Sequence, residues 1–143
     1  DHFKSVYDVH GHAMGDRVLA KMVSVAADVL RQEDLIGRLG GEEFAIVLVD
    51  SDAASAMKVA DRIRLAIKQV KFPGEMGPFN VSVSIGVAEP SFTEHSINAA
   101  LERADAALYQ ANRNGRDRVE LAAENMPVPA PAEAPQSASR RLN

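Results

Sequence analysis

The stretch RLGGEEFAIVLV, residues 38–49, places two glycines and two carboxylates between apolar segments. Apolar runs on both sides of Gly40-Gly41 predict a β-hairpin with a two-residue Gly-Gly turn. Glycine suits such a turn because it accepts the positive φ that primed turns require. Glu42 and Glu43 follow at once, although adjacent carboxylates repel each other. Taken alone, the pattern fits either a solvated hairpin or a site whose chemistry needs two negative charges.

Amphipathic helices are predicted on both sides of this hairpin. Residues 15–32 carry apolar side chains at spacings of three and four, with Asp16 placed as the N-cap. Residues 52–70 show the same spacing. A third helix is predicted over 96–114, with Gly115 as its C-cap.

Two further strands complete the predicted fold. Residues 79–88 alternate apolar side chains with small or polar ones, the period of a half-buried strand, and residues 116–121 form a short last strand. Helices alternate with strands, so we expect an α/β or α+β domain over residues 1–121, a sheet layered with helices. Residues 122–143 carry four of the seven prolines and almost no bulky apolar residue, and we interpret them as a disordered tail.

Composition excludes several classes of function. The 143 residues suffice for one domain with a core, and the net charge of −4 offers no general basic surface for nucleic acid. The absence of cysteine excludes disulfides, thiol catalysis and cysteine-ligated zinc, and it fits a reducing compartment. No apolar run reaches the roughly 18 residues of a membrane span, so we expect no membrane segment in this chain. The chain opens without an initiator methionine, and we expect a further region upstream.

Five sequence blocks resemble, in order and spacing, the GGDEF domain family, which includes the diguanylate cyclases. They are Asp1-His2-Phe3-Lys4, Gly11-His12 with Gly15-Asp16, Gly40-Gly41-Glu42-Glu43-Phe44, Val83-Ser84-Ile85-Gly86-Val87, and Arg103-Ala104-Asp105 through Tyr109 to Gly115-Arg116. The resemblance implies an α+β fold with a central mixed β-sheet flanked by helices, similar to nucleotide cyclases and polymerase palm domains. It also implies that the Gly-Gly-Glu-Glu-Phe hairpin lies at the active site.

The resemblance implies a reaction in which two GTP molecules condense into the signalling nucleotide cyclic di-GMP and release pyrophosphate. Each domain holds one GTP, so a homodimer is expected. Phosphoryl transfer depends on positioning and charge neutralisation, and Mg²⁺ (or Mn²⁺) bound by one or two carboxylates supplies the latter. By the resemblance Glu42 is a metal ligand, and Glu43 is a metal ligand or activates the attacking hydroxyl. Gly40 and Gly41 lack side chains and let the nucleotide lie against the backbone.

Four more residues match the family's substrate-binding positions. Phe3 and Lys4 are expected in a loop whose backbone N–H groups and lysine meet the phosphates, or else at an ordinary chain end. Asp16 is a helix N-cap or accepts from the guanine N1–H and N2–H₂ edge, and different oxygens allow both. Arg116 reaches a phosphate or complements the C-terminus of the third helix.

The segment Arg31-Gln32-Glu33-Asp34 lies where the family places an inhibitory product site. An arginine near a helix end followed by a loop aspartate is otherwise a common combination. Arginine matches the O6/N7 edge of guanine, and aspartate can accept from its N1–H and N2–H₂ groups, so cyclic di-GMP is the expected ligand. Arg62, on the second helix, matches a position that in some members completes this site from a neighbouring domain.

Three departures from the family pattern bear on activity. The family has a further aspartate two positions before Asp1, at the end of a central strand, and we expect both in the upstream region. Tyr7 replaces the asparagine that reads guanine, and its ring would occupy the place of the base. Asn112 replaces a phosphate-binding lysine, and the neighbouring Arg113 points about 100° further round the helix.

The matches to the family pattern and the three departures from it favour two different functions. The intact Gly-Gly-Glu-Glu-Phe motif favours a diguanylate cyclase domain, the output module of a longer cytoplasmic or membrane-tethered protein with an upstream sensor region. Tyr7 and Asn112 favour an impaired domain that acts as a cyclic di-GMP receptor or as a GTP-binding regulatory module. A purely structural dimerisation module would explain neither Glu42-Glu43 nor the arginine and aspartate of the 31–34 segment.

Overall fold

The computed structural model describes residues 1–91 and 97–123. Helix α1 spans Phe3–Val29, strand β1 Leu35–Gly40, β2 Glu43–Val47, helix α2 Ala53–Lys68, β3 Ile85–Val87, α3 Ile97–Arg113 and β4 Val119–Leu121. The mixture of helices and strands confirms the predicted α+β class. The predicted helix start at residue 96 and the predicted tail from residue 124 onward lie outside the described residues. In the part that is described, no helix has the length and apolar character needed to cross a membrane.

Helix α1 begins earlier than the sequence pattern predicts. It starts at Phe3 and continues through a kink at Gly11, whose φ of 79° and ψ of 168° are not helical. The prediction of Asp16 as an N-cap is therefore wrong, because Asp16 lies inside the helix after the kink. The loop predicted for Phe3 and Lys4 is also wrong, since these residues form the first helical turn. Gly11 explains both errors, because a residue without Cβ lets the chain change direction before the helix resumes.

Strand pairing forms two small sheets within the described residues. β1 pairs antiparallel with β2, and β3 pairs parallel with β4, so the central sheet implied by the resemblance is represented by two separate pairs. The strand predicted over 79–88 is shorter in the structure, because Ile85–Val87 forms a ladder with β4 whereas Phe79 makes only an isolated antiparallel bridge with Phe72. The N–H of Ala122 donates to Val87 O at 2.8 Å, so the folded part extends one residue beyond the predicted boundary at 121.

The hydrophobic core lies between α1, α2 and the segment that leads into β3. The predicted apolar faces of α1 and α2 are confirmed, and the buried side chains of this core are Phe3, Val6, Val18, Leu19, Ala26, Ile63, Ile67, Phe72 and Val81. Full burial of a large apolar side chain stabilises a fold by about 1.5–3 kcal/mol. Because Phe3 and Val81 belong to one cluster, the first turn of α1 lies beside the segment before β3.

Helix α3 lies in direct contact with β3. A Cβ on Gly86 would lie 1.9 Å from Ala104 O and 2.5 Å from Leu108 N, so only glycine fits between the strand and the helix. The buried face of α3 consists of alanines and Arg103, which lets the helix approach the strand closely. Ile97, at the start of α3, is 51% exposed.

The end of α3 sets the course of the chain into β4. Gly115 has a φ of 106°, and the N–H of Arg116 donates to Ala111 O at 2.9 Å, which closes the last turn. The predicted C-cap at Gly115 is therefore confirmed. Arg116 and Asp117 continue with positive φ values of 63° and 48° before β4 begins.

Candidate functional site

The hairpin turn presents two adjacent carboxylates to solvent. Gly40 pairs with Glu43 across the ladder, so the turn residues are Gly41 and Glu42 and not the predicted Gly40 and Gly41. An irregularity of the ladder at Leu39 shifts the register by one residue and accounts for the difference. Gly41 supplies the left-handed conformation, with a φ of 50°. Glu42 therefore lies at the tip, Glu43 opens β2, and both side chains are exposed.

Arg38 holds this turn from one side. Its Nε donates to Gly41 O at 2.9 Å, and a second guanidinium nitrogen donates to the same oxygen. The guanidinium carbon also lies 6.0 Å from the centre of the Phe44 ring, at the outer limit of a cation–π contact. Sequence reasoning missed Arg38, although an arginine three residues before a turn glycine is a usable signal. The two carboxylates thus extend from a turn whose backbone is held in place.

Asp1 organises a second part of the site. Its carboxylate accepts from Ser84 Oγ at 2.7 Å, from Ser82 Oγ at 2.9 Å and from the N–H of Asp117 at 3.1 Å. Its backbone nitrogen donates to Ser82 O at 2.9 Å. These contacts tie the residue before α1 to the segment before β3 and to the loop before β4. The sequence pattern predicted none of these hydrogen bonds, because the partners lie more than 80 residues away along the chain.

Glu42 and Arg116 both lie within electrostatic range of the backbone nitrogen of Asp1. The hairpin tip and the loop after α3 therefore converge on Asp1. Glu42 is predicted to bind metal, and Arg116 is predicted to bind phosphate. The fold brings both within electrostatic range of Asp1.

The first turn of α1 contributes another cation and unpaired backbone donors. Lys4 is exposed, and the first N–H groups of a helix have no acceptor within the helix. Phe3, by contrast, is only 3% exposed, and its ring meets Tyr7 edge-on with the ring centres 4.8 Å apart. Lys4 can therefore offer its side chain to a ligand, whereas Phe3 can offer only its backbone.

Tyr7 fills the space beside Gly15 and Asp16. A Cβ on Gly15 would lie 2.4 Å from Tyr7 Cε1, so the tyrosine ring packs directly on the glycine backbone. The ring of His12 borders the same space, with its centre 4.9 Å from that of Tyr7. Asp16, predicted to accept from guanine, is exposed at the next position of the helix. A base that approached Asp16 over Gly15 would meet the tyrosine ring.

The residue at position 112, an asparagine, is uncharged. Asn112 is half-buried near the end of α3. The guanidinium carbon of Arg113 lies 5.9 Å from the centre of the Tyr109 ring, so this side chain is directed toward the preceding helical turn. Arg113 therefore does not take the place of a lysine at position 112. Arg116 is exposed in the loop that follows.

Asp34 holds the loop between α1 and β1. Its Oδ2 accepts from the N–H of Arg31 at 2.9 Å, and its Oδ1 accepts from the N–H of Val49 at 3.1 Å. The two residues of the predicted product site are thus adjacent in space, and the Arg31 side chain is exposed. Arg62 is exposed on α2, and among the described residues it shares no hydrogen bond or ion pair with either of them. The role of Val49 as a partner of Asp34 was not visible in the sequence.

The carboxylates of the hairpin suit a metal ion that is shared with a substrate. Within residues 1–91 and 97–123, no group of three or more His, Cys, Asp or Glu side chains could hold a metal ion. Mg²⁺ in nucleotide sites commonly takes one or two protein carboxylates and completes its shell with phosphate oxygens and water. Glu42 and Glu43 meet that requirement as adjacent, exposed oxygen donors.

Comparison with known sequences identifies the family. The family model described as "Diguanylate cyclase, GGDEF domain" matches residues 1–118. Diguanylate cyclase A of Treponema denticola is 40% identical over 127 residues, which make up 89% of this chain and 34% of that protein. The chain thus spans about a third of the length of that relative.

Solved structures agree with this match. The active GGEEF domain of a diguanylate cyclase from Vibrio cholerae aligns with a TM-score of 0.79 and 34% identity, covering 87% of this chain and 78% of that one. The coiled coil and GGDEF domain of DgcB from Caulobacter crescentus, in complex with c-di-GMP, aligns with a TM-score of 0.79 and 34% identity, covering 85% and 65%. This chain belongs to the GGDEF domain family.

Proposed function

We propose that this chain is a diguanylate cyclase domain, which condenses two GTP molecules into cyclic di-GMP and pyrophosphate. One observation carries the proposal. Glu42, at the hairpin tip held by Arg38, and Arg116, after α3, both lie within electrostatic range of the Asp1 nitrogen, so a carboxylate and a cation converge at one place. A nucleoside triphosphate with its metal needs both charges, the carboxylate for the metal and the cation for the phosphates. The matching family and the relative from Treponema denticola carry the same name.

The phosphates would bind between Lys4 and Arg116. Lys4 lies in the first turn of α1, where unpaired backbone N–H groups and the positive end of the helix dipole also favour an anion. A Cβ on Gly40 or Gly41 would meet no atom within 4 Å, so the hairpin backbone has open space beside it for a nucleotide. Asp16 would accept from the guanine N1–H and N2–H₂ edge.

The hairpin carboxylates would serve the chemical step. Glu42 and Glu43 would hold Mg²⁺ or Mn²⁺, which when bound neutralises charge on the phosphates. Glu43 can instead accept the proton of the attacking 3′-hydroxyl. That hydroxyl attacks the α-phosphate of a GTP on a second domain, the bond to pyrophosphate breaks, and pyrophosphate leaves. Two such steps close the ring, so the active form is a homodimer.

Arg31 and Asp34 would bind the product and inhibit turnover. Two backbone N–H groups fix the Asp34 carboxylate, and each oxygen keeps a lone pair for guanine N1–H and N2–H₂. The exposed Arg31 can meet the O6/N7 edge, and Arg62 of a neighbouring domain would complete the site. Support comes from the solved GGDEF domain of DgcB, which is in complex with c-di-GMP.

The domain would work within a larger signalling protein. The chain covers only 34% of the length of its relative from Treponema denticola. We place the domain in the cytoplasm, where GTP is available, either free or tethered to the inner membrane. A sensor region elsewhere in the protein would bring two cyclase domains together.

A second function has support at two positions. The Tyr7 ring packs on Gly15 and would meet an incoming base, and Asn112 offers no charge to the phosphates. A domain impaired in this way would act as a cyclic di-GMP receptor through Arg31 and Asp34, or as a GTP-binding regulatory module. The adjacent carboxylates of the hairpin favour the cyclase, because a receptor does not need them.

Turnover in a forced dimer tests the cyclase proposal. The longer protein that carries this chain is dimerised by fusion to a parallel coiled coil and incubated with GTP and Mg²⁺, and cyclic di-GMP is quantified by chromatography. We expect product from the wild type and from Glu75→Ala, which removes an exposed carboxylate elsewhere, and none from Glu43→Ala. Absence of product from the wild-type dimer of the longer protein would rule out the cyclase.

Calorimetry with cyclic di-GMP tests the receptor in the same protein. Binding that Arg31→Ala abolishes, in a dimer without turnover, would establish the receptor. Recovery of turnover in Tyr7→Asn combined with Asn112→Lys would assign the impairment to these two positions. Unchanged affinity in Arg31→Ala would count against any role of the 31–34 segment in product binding.

A further inference from the structure

Asp117 links three parts of the molecule. Its Oδ1 pairs with Nη1 of Arg64 at 2.8 Å, and its Oδ2 accepts from Lys68, so the side chain is anchored on α2. Its backbone N–H donates to the carboxylate of Asp1 at 3.1 Å. The residue also follows Arg116 directly. One aspartate thus connects α2, the start of α1 and the loop after α3.

The backbone around Asp117 is in a conformation that its surroundings must hold. Arg116 and Asp117 have φ values of 63° and 48°, and Gly115 before them has a φ of 106°. Two consecutive residues with side chains in the left-handed region are costly and persist only where neighbouring contacts determine them. The hydrogen bond from Arg116 N–H to Ala111 O holds the near side of this loop. The side-chain contacts of Asp117 hold the far side.

The ion pair between Asp117 and Arg64 is partly shielded from solvent. The side chains of Arg64 and Asp117 are 16% and 27% exposed, so their attraction is screened less than that of a surface pair. Hydrogen bonds from Lys68 and then Arg64 lower the pKa of Asp117 from its ordinary value. Arg64 also pairs through its Nε with Asp61 at 2.8 Å, and this second pair fixes the guanidinium. The carboxylate of Asp117 is therefore charged and held at neutral pH.

We propose that Asp117 is a positioning residue for phosphate binding, which fixes Arg116 and Asp1 relative to α2 so that Arg116 and Lys4 meet the same phosphates. The inference rests on the proposed nucleotide site. Asp117 itself does not touch the nucleotide. It acts through its neighbour Arg116 and through the carboxylate of Asp1, which precedes α1. Loss of the Asp117 side chain should weaken triphosphate binding even in a variant whose backbone at position 117 still adopts the left-handed conformation.

Substitution of Asp117 separates this role from backbone preference. Glycine adopts the left-handed region without strain, so Asp117→Gly preserves the loop conformation and removes only the anchor. Asp117→Asn keeps one acceptor for Arg64 but loses the charge that attracts Lys68. The matched control is Asp61→Asn, which removes the charge of the other partner of Arg64 and leaves the loop contact intact. A thermal melt of each variant confirms folding.

Calorimetry with GTP and Mg²⁺ measures the effect on the whole chain. We expect GTP affinity to fall about tenfold in Asp117→Gly, equivalent to about 1.4 kcal/mol, and about threefold in Asp117→Asn. Asp61→Asn should bind within twofold of the wild type. Arg64→Gln should weaken GTP binding in the wild-type background but cause no further loss in Asp117→Gly, because it acts through the same contact.

The outcomes distinguish this inference from the proposed function. If the wild type binds GTP and Asp117→Gly binds equally well, the positioning role is overturned and the nucleotide site stands. If the wild type binds neither GTP nor inorganic tripolyphosphate, the proposed function fails and the inference fails with it. If Asp117→Gly does not fold, an unchanged affinity in Asp117→Asn and in Arg64→Gln overturns the inference.

Discussion

Replacement of Tyr7 by asparagine should change stability and GTP affinity in opposite directions. The tyrosine ring packs on the backbone of Gly15, and its centre lies 4.8 Å from that of Phe3 in an edge-on contact. Asparagine would vacate the space above Gly15 and place an amide, with one donor and one acceptor, beside the exposed Asp16. The same substitution therefore removes packing and adds a group that can read guanine.

The two effects have similar magnitudes. An aromatic pair contributes about 0.5–1.5 kcal/mol beyond its buried area, and burial of half a large side chain adds about 1 kcal/mol. The free energy of unfolding of Tyr7→Asn should therefore fall by about 2 kcal/mol, which lowers the melting temperature of a domain of this size by about 8 °C. A bidentate contact to a base contributes about 1–3 kcal/mol, so GTP should bind roughly 5- to 150-fold more tightly.

Thermal denaturation without nucleotide and calorimetry with GTP measure both quantities on one protein. Tyr7→Phe is the matched control, because it keeps the ring on Gly15 and should leave affinity and melting temperature nearly unchanged. Tyr7→Ala vacates the same space without adding an amide, so it should lose stability and gain less affinity than Tyr7→Asn. The reasoning is refuted if Tyr7→Asn binds GTP no more tightly than the wild type, or if Tyr7→Phe gains as much.

Three further predictions concern packing, the product site and acid stability. Gly86→Ala should lower the free energy of unfolding by about 3 kcal/mol in urea titrations, because its Cβ would lie 1.9 Å from Ala104 O; wild-type stability in this variant would contradict the packing of α3 on β3. Arg31→Ala should reduce cyclic di-GMP affinity at least tenfold in calorimetry without a change in melting temperature. Asp34→Ala should reduce both, since two exposed backbone N–H groups lose hydrogen bonds that each contribute about 0.5–1.5 kcal/mol. Because the pKa of Asp117 is lowered in the folded state, its ion pairs contribute fully above the ordinary aspartate value of about 3.9 and are lost as the pH falls through the lowered value. The urea midpoint of the wild type should therefore fall more steeply than that of Asp117→Asn below about pH 4, and parallel profiles would exclude the effect.

Local sequence was sufficient for features whose cause is local. The apolar faces of α1 and α2 repeat at helical spacing, and Gly115 ends α3 because glycine adopts the conformation that closes a helix. The hairpin with its two carboxylates also follows from a short stretch. The same reasoning missed the start of α1, because the kink at Gly11 interrupts the helical pattern, and it misplaced the turn by one residue, because a ladder irregularity leaves no mark in the sequence.

The sequence alone therefore determined the family, the α+β class and the identity of the charged groups, since each depends on residue type and on spacing along the chain. Only the tertiary structure decided which of those groups meet. Asp1 reaches Ser82 and Ser84, and Asp117 reaches α2, through contacts between residues far apart in sequence. Such contacts depend on how helices pack on strands, so the convergence of Glu42 and Arg116 on Asp1 became visible only once the chain was folded.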